Sequence, residues 1–585
     1  MRKLIMFVSL IALSVAIAFG QPSIGGIVNG GSYAVTTASL MVNGAATNVT
    51  TDSVAQGAIF VMFGTNLGGS SLAQPSGLPL PTSLGTTSIS VTSGGKIVPA
   101  YIVYTLATQL AGILPSNTPV GPATVTVTYN GQTSAPFNFV VVPSGFGVIT
   151  TNSQGTGPAI AQVFQSSANF TYNSLNTGAC IFSSTCSPAH PGDTLVIVGT
   201  GLGAISGADN VAPGAVSVGS NVTVNIGGQV ITPLYAGRSP NFPGEDQVNF
   251  TLPANVPTGC YVPAEVTEAG QPSNTFWLSI AAQGQTACTH PFGLTAAQLS
   301  KLDAGGSLNE AALLMGHVAL SSTLSGEGFG GVFASFNANG VFQAVVTLGL
   351  FGAFPFPAPA NSCVVADRIV TGATPPIPPD FSSFATKILD AGPGLTVAGP
   401  SSCGSSCTGA AINGGNTGYF NVFLPAIFTQ GGWTITGTGG ADVGPLSATV
   451  NLPATLIWTN AGNFSSVPRA NGITINWTGG AVNSSSTVQI TGSSAVVDTA
   501  NPANTVGKAF FCTVPASAGT FVVPASITSL LPAGTTSNAK QAAYGTLVLS
   551  TGGLSSFSAP LTAGGSLDNG TVGYGYAQGI TVTWQ

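Results

Sequence analysis

QGAIFVMFGTNLG, from Gln56 to Gly68, and PGDTLVIVGTGLG, from Pro191 to Gly203, are two copies of one motif. Gly57 aligns with Gly192, Val61 with Val196, and the Gly64, Thr65, Leu67, Gly68 series with Gly199, Thr200, Leu202, Gly203. A second pair follows in the same order: LPSNTPVG (Leu114 to Gly121) and LPANVPTG (Leu252 to Gly259), again displaced by about 135 residues. Two matches in register define a repeated folding unit. In each copy an apolar run of strand length ends in a glycine-rich turn.

Around the motif, ISVT (Ile89 to Thr92), VTVTY (Val125 to Tyr129) and VTVNI (Val222 to Ile226) alternate apolar and small polar residues. That is the period of a sheet with one buried face. Asn130-Gly131, Gly94-Gly95 and Gly227-Gly228 supply the positive φ of tight hairpins. Short strands spaced by such turns predict a sandwich.

VMFGTNLGG and VIVGTGLGA resemble the second strand and following turn of IPT/TIG immunoglobulin-like domains. IVNGGSY near Ile27, LPLPTSLG near Leu78, VTVNIGG, LYAG and QVNFTLP extend the likeness to exported soil-bacterial proteins of unknown function carrying this pair of modules. The resemblance covers about half the chain and implies neither catalytic residues nor a ligand. In the first copy YIVYTLATQLAGILP replaces LYAG…QVNFTLP.

The organisation read from this is all-β: tandem immunoglobulin-like β-sandwich modules, then a larger C-terminal β-sandwich region, with a short helical joint between. Residues 1–20 carry Arg2 and Lys3, an apolar stretch from Leu4 to Ala18 and small residues before Gln21, the plan of a signal peptide. The apolar core is shorter than a spanning helix, and no second run of spanning length follows, so no transmembrane segment is expected in the mature chain. The modules are expected over 21–147 and 148–290, the joint over 291–329, and the C-terminal β domain, of one or two lobes, over 330–585. In the joint, LTAAQLSKL opens with Thr295 and Gln298 at capping-box spacing, and LNEAALLM reads as a second short helix. Further on, LSATVNL (Leu446 to Leu452), GITINW (Gly472 to Trp477), TVQIT (Thr487 to Thr491), TFVV (Thr520 to Val523) and GITVTW (Gly579 to Trp584) read as strands. Pro355 to Pro359 and Pro375 to Pro379 mark edges or loops. YGYAQGITVTWQ alternates like an outer-membrane barrel strand, but with the family-like modules upstream it is expected to be the last strand of a sandwich.

Only 4% of residues are charged while 44% are hydrophobic, so the chain can bury cores and does not read as disordered. Ten basic residues face sixteen acidic ones with no basic cluster, which argues against nucleic acid as a partner. Eight cysteines in an exported chain read as four disulfides. Proximity pairs Cys180 with Cys186, Cys260 with Cys288 and Cys403 with Cys407, leaving Cys363 with Cys512.

Several constellations test for chemistry. Gly199 to Ala204 (GTGLGA) fits a dinucleotide fingerprint, but Gly207, Pro213 and Gly214 break the helix that would hold a pyrophosphate. The other copy reads GTNLGG, so a shared hairpin turn is expected. GEGFGG (Gly326 to Gly331) lacks a strand-to-helix context. Cys186 with His190, and Cys288 with His290, have zinc-like proximity, against which export favours disulfides. Cys403-Gly-Ser-Ser-Cys407 is one residue too long for a thioredoxin motif. Glu245-Asp246 and Glu265 with Glu268 are the close acidic pairs and read as solvated loop charges. His317 falls in the second expected helix, with no nucleophile motif beside it. Trp277, Trp433, Trp458, Trp477 and Trp584 could form a sugar-stacking platform but read as core.

No catalytic residue, metal or cofactor is expected. The sequence reads as a non-catalytic secreted or cell-surface structural and interaction protein of adhesion type, periplasmic residence being the other address. Its partner would be a protein or glycan at the cell surface. The alternative is an extracellular carbohydrate-binding or polysaccharide-active protein. A subunit of a surface assembly is a third reading, suggested by mean hydropathy of +0.44 and few repelling charges.

Overall fold

Alternation in TSISVTS (Thr87–Ser93) and GPATVTVTY (Gly121–Tyr129) turns Ile89, Val91, Val125 and Val127 to one side. All four are buried at 1% exposure or less. The computed structural model describes residues 20–585 apart from 34–36, 43–44, 51–52, 154, 156, 167–168, 220, 227–228, 270, 320–324, 351–360, 372–380, 402, 404–406, 424–426, 481–485, 498–503 and 535–544. The expected signal peptide apart from Gly20, the Gly227-Gly228 turn and both proline clusters lie outside the described residues.

The first module is a two-sheet sandwich. One sheet runs Ser23–Asn29, Ile59–Thr65, Gln109–Ile113, Tyr101–Thr105; the other is built on Ser53–Ala55, Phe137–Val142, Gly121–Tyr129, Thr87–Ser93 and Ser83–Leu84. Ile27, Phe60, Met62, Ile102 and Val141 fill the space between them. The Asn130-Gly131 turn has φ of 48° and 77°, which carries the Gly121–Tyr129 strand into its return.

In the second module Thr194–Thr200 is flanked by Ala161–Ser166 and Asp246–Thr251, as Ile59–Thr65 is flanked by Ser23–Asn29 and Gln109–Ile113. YIVYTLATQLAGILP therefore supplies the strands that LYAG and QVNF supply in the second copy. The opposing sheet carries Thr223–Ile226, Gly259–Glu268 and Phe276–Ile280, over a core of Leu195, Ile197, Val224, Phe250 and Phe276. The glycine-rich turn is not a hairpin turn as expected. It ends a strand of one sheet and starts the crossover to the other, from Thr200 to Thr223 and from Thr65 to Ser83.

The capping box at Thr295 and Gln298 forms and starts helix α1, Ala296–Asp303. LNEAALLM is not a helix. It opens the strand Leu308–Ala319, paired over its whole length with Ser325–Phe336 and over ten residues with Asn569–Thr581. Its residues are good helix formers, but Leu313 and Met315 enter the C-terminal core while Ala312 and Leu314 pack on the cluster shared with the second module. A strand covered on both faces loses the alternation that would reveal it. Helix α2, Ala338–Leu350, interrupts the region read as strands throughout.

The C-terminal region is dominated by a long sheet in the order Ser362–Thr371, Asn504–Pro515, Thr487–Val497, Thr546–Phe557, Asn569–Thr581, Leu308–Ala319, Ser325–Phe336, Tyr419–Phe423, Thr408–Asn413, Gly394–Ala398, Gly431–Gly437, Leu446–Leu452. Leu446–Leu452 packs back on Thr546–Phe557 and Asn569–Thr581, so the sheet rolls over its own core. YGYAQGIT is thus an interior strand, not the last of a sandwich. Only Thr583–Trp584 beyond it forms a short separate pairing, with Ser466–Val467. Four disulfides join Cys180 to Cys186, Cys260 to Cys288, Cys363 to Cys512 and Cys403 to Cys407.

Candidate functional site: the joint between the two modules

The second copy of the repeated turn lies against the first module, and its backbone has polar groups to satisfy there. Gly201 has φ of 109°, and a Cβ on it would sit 2.3 Å from the Gly145 carbonyl, so glycine is required twice over. Asp246, opposite Gly199 on the neighbouring strand, accepts from the Gly201 and Leu202 amides, both at 2.7 Å. Arg238, opposite Asp246 on the next strand, places its guanidinium on that carboxylate. Its Nη2 donates to the Gly203 carbonyl at 2.7 Å and to the Gly57 carbonyl of the first module at 3.2 Å.

These side chains are 1% and 0% exposed. Burial pushes the Asp246 carboxyl above its ordinary range, and the strongest opposing pull comes from Arg238. An ion pair withdrawn from water this completely gives little net stability, but it is costly to break from one side. Its positioning value is plain: the guanidinium ties a turn of one module to a backbone carbonyl of the other.

Further bonds repeat that logic. Thr200 Oγ1 donates to the Gly244 carbonyl and accepts from the Ile59 amide at 2.8 Å. Asn29 Nδ2 donates to the carbonyls of Gly145 and Thr200, while its Oδ1 accepts from the Gly31 and Ser32 amides. Asp209 accepts from the Ser116 amide and hydroxyl, both at 2.7 Å, and Ser116 Oγ accepts from the Ile205 amide. Leu80 and Asn210 exchange two bonds. Gly57, Ile59, Ser116 and the GTGLG turn all belong to the repeated motifs, so the repeat supplies both halves of the clasp. In the first copy Thr105 Oγ1 bonds the Leu67 carbonyl at the matching turn.

Sequence reading missed this site. Asp246 and Glu268 were expected to be solvated, yet they are 0% and 4% exposed. Arg238 and Asp209 were not singled out; a lone arginine eight residues before the aspartate of the Glu245-Asp246 pair, on what become adjacent strands, was the available signal. Glu268 ends its strand with its carboxyl pushed up to about 8, chiefly by burial.

A second polar cluster lies where the second module meets the C-terminal region. The Tyr261 hydroxyl, His290 Nε2 and Glu310 Oε1 are buried with no hydrogen-bond partner among the described residues. Burial holds the His290 imidazole down at about 3 and pushes the Glu310 carboxyl up to about 8, with Asp568 adding to the latter. Desolvation raises the Tyr261 hydroxyl, and Asp303, on α1, is pushed up to about 6.

The remaining candidates resolve as follows. Cys186 and Cys288 are in disulfides, so neither offers a thiolate to zinc beside His190 or His290. GEGFGG lies inside the strand Ser325–Phe336. His317 is on a strand, not a helix; its Nδ1 meets Glu327 at 3.1 Å, and Glu327 also accepts from the Ile427 and Phe428 amides. All five tryptophans are buried, at 6, 0, 6, 3 and 0% exposure in chain order, which overturns the tryptophan sugar platform. A crevice lined by Phe333, Asp390, Asn413 and Tyr419 holds about 110 Å³, well under the ~300 Å³ at the low end of small-molecule sites.

No protein-family profile matches this chain, and no curated protein matches it. Overlays on solved structures pair it with tandem immunoglobulin domains of titin (10% identity, 40% of this chain and 92% of that one, TM-score 0.11). The chicken CNTN1 FN1–FN3 domains pair at 10% identity, 74% and 99% coverage and a TM-score of 0.12. Domains 5–6 of the S-layer protein SbsC pair at 12%, 45% and 99%, with a TM-score of 0.15. TM-scores this low carry no weight. The class, a mostly β chain with tandem immunoglobulin-like sandwiches, stands on the sheets described above.

Proposed function

We propose that this chain is a non-catalytic structural and interaction protein that works outside the cytoplasm, with two IPT/TIG-like modules joined as one rigid stalk to a larger C-terminal β domain. The observation that carries the reading is the clasp: the repeated turn and a buried ion pair are spent on holding one module against the next. Four disulfides support an oxidising compartment. Cell fractionation with surface labelling, and a deletion strain scored for surface attachment, aggregation and partner capture, test it. Cytoplasmic recovery, or a deletion that leaves all three properties unchanged, refutes it.

Glycan capture is the second reading, moved from the tryptophans to other aromatic residues. Phe164, Phe170, Tyr172 and Phe182 form a row of ring contacts at 5.7, 5.6 and 6.3 Å on the second module, with Phe170 and Phe182 exposed. Retention on neutral polysaccharide beads that is lost on Phe170→Ala with Tyr172→Ala supports it; equal retention of the variant removes it.

A further inference from the structure

The C-terminal domain sets its first long strand beside its last long one. Leu308–Ala319, the first strand after α1, lies beside Asn569–Thr581, and the two run parallel through ten residue pairs, Glu310 with Asn569 to Ala319 with Gln578. Among the described residues this is the parallel pairing of the long sheet; the other neighbouring strands along it are antiparallel.

We infer that this terminal strand pair is a shear clamp, and that the domain serves as a load-bearing element of the chain. In a parallel pair the start of one strand lies beside the start of the other. Residue 308, where the chain arrives from the second module, and residue 581 therefore sit at opposite ends of the pair. Tension between the modules and the far end of the chain pulls the two strands past each other along their length. The cross-strand hydrogen bonds then carry load together, whereas tension applied at matching ends opens them one or two at a time.

The surroundings suit that task. Each clamp strand is interior, held on its other side through twelve residue pairs, to Ser325–Phe336 and to Thr546–Phe557. Leu313, Met315, Val572 and Tyr574 are buried along the pair, which keeps water from exchanging with the loaded bonds. The start of the pair is pinned. The Asp568 amide donates to the Asn309 carbonyl, the Asp568 carboxylate accepts from the Asn309 amide at 2.8 Å, and Lys301 of α1 reaches the same carboxylate at 3.5 Å. Gln298 Nε2 bonds the Asp568 carbonyl, and Thr571 Oγ1 bonds the Ala311 carbonyl across the pair. Beyond the clamp, Trp584 is fully buried, with Nε1 donating to the Ser493 carbonyl.

The Cys363–Cys512 disulfide adds a stop. Once the clamp yields, the 149 positions separating those cysteines stay closed to extension. At ~3.3–3.6 Å per residue that withholds about 500 Å of contour length. This inference requires no ligand and stands whether or not a partner is found.

Single-molecule stretching of the full chain tests it, with peptide-tag handles at both chain ends in one version, and at the N-terminal end and between the exposed Gly564 and Gly565 in the other. The first loads the clamp in shear and the second peels it. The expected result is a rupture force for the C-terminal domain severalfold higher in the first geometry at equal pulling speed. Its contour gain should lengthen by about 500 Å when the disulfides are reduced. Equal forces, or a higher force in the second geometry, overturn the inference. If the internal handle disturbs folding, the end-to-end geometry is repeated with Asp568→Ala and Thr571→Val combined. A lowered rupture force supports the clamp, and an unchanged one overturns it.

Discussion

Replacing Arg238 by methionine removes the guanidinium and leaves Asp246, 0% exposed, without its counter-charge. Removing one partner of a buried ion pair costs ~3–5 kcal/mol, which here falls on the clasp because Arg238 also bonds Gly57 of the first module. The Gly201 and Leu202 amides still hold the carboxylate, so the turn remains but its hold on the neighbouring module weakens. Amide hydrogen exchange of the full-length protein reads this directly, at Gly201, Leu202 and Ile59. Protection there should fall by about two to four orders of magnitude at pH 8, with little change in the C-terminal strands. The loss depends on pH with a definite sign. Without Arg238 the desolvated carboxyl of Asp246 has a folded pKa raised further above its unfolded value. Its stability contribution is then full below the unfolded pKa and lost as pH rises through the folded one, so the deficit at pH 5 is smaller than at pH 8. Adding Asp246→Asn keeps an acceptor for the two amides and removes the stranded charge, and should return most of the protection. Unchanged exchange at those three amides in Arg238→Met, or a deficit that grows on acidification, would refute the reasoning.

The Glu310 carboxyl, pushed up to about 8 by burial, makes stability fall as pH rises from its unfolded value of about 4.5 towards 8; Glu310→Gln should flatten that part of a Tm-against-pH curve. His290, held at about 3 against an ordinary 6.5, works from the other side, and stability should fall as pH drops from 6.5 to 3, an effect His290→Phe diminishes. Trp433→Ala empties a fully buried site in the C-terminal core and should cost ~3–5 kcal/mol by chemical denaturation. Gly201→Ala forces a Cβ against the Gly145 carbonyl at positive φ and should lower the melting temperature, whereas Gly564→Ala, with nothing within 4 Å of its Cβ, should lower it less.

The sequence by itself determined the β class, the repeat and the local turns. Strands such as Thr87–Ser93 and Leu446–Leu452 expose one face to water, so their period of two survives in the amino-acid order. The capping box at Thr295 was legible because it is made within one turn. Tertiary structure decided the rest. LNEAALLM became a strand because partners on both sides and apolar neighbours on both faces outweigh a weak local preference for helix. Gly340 and a run of β-branched residues hid helix α2. YGYAQGIT became an interior strand because its partner lies more than 250 residues away. The charges of Arg238 and Asp246 are ordinary surface residues to a reader of sequence. Only the folded joint, which takes both out of water and sets a neighbouring module against them, gives them their role.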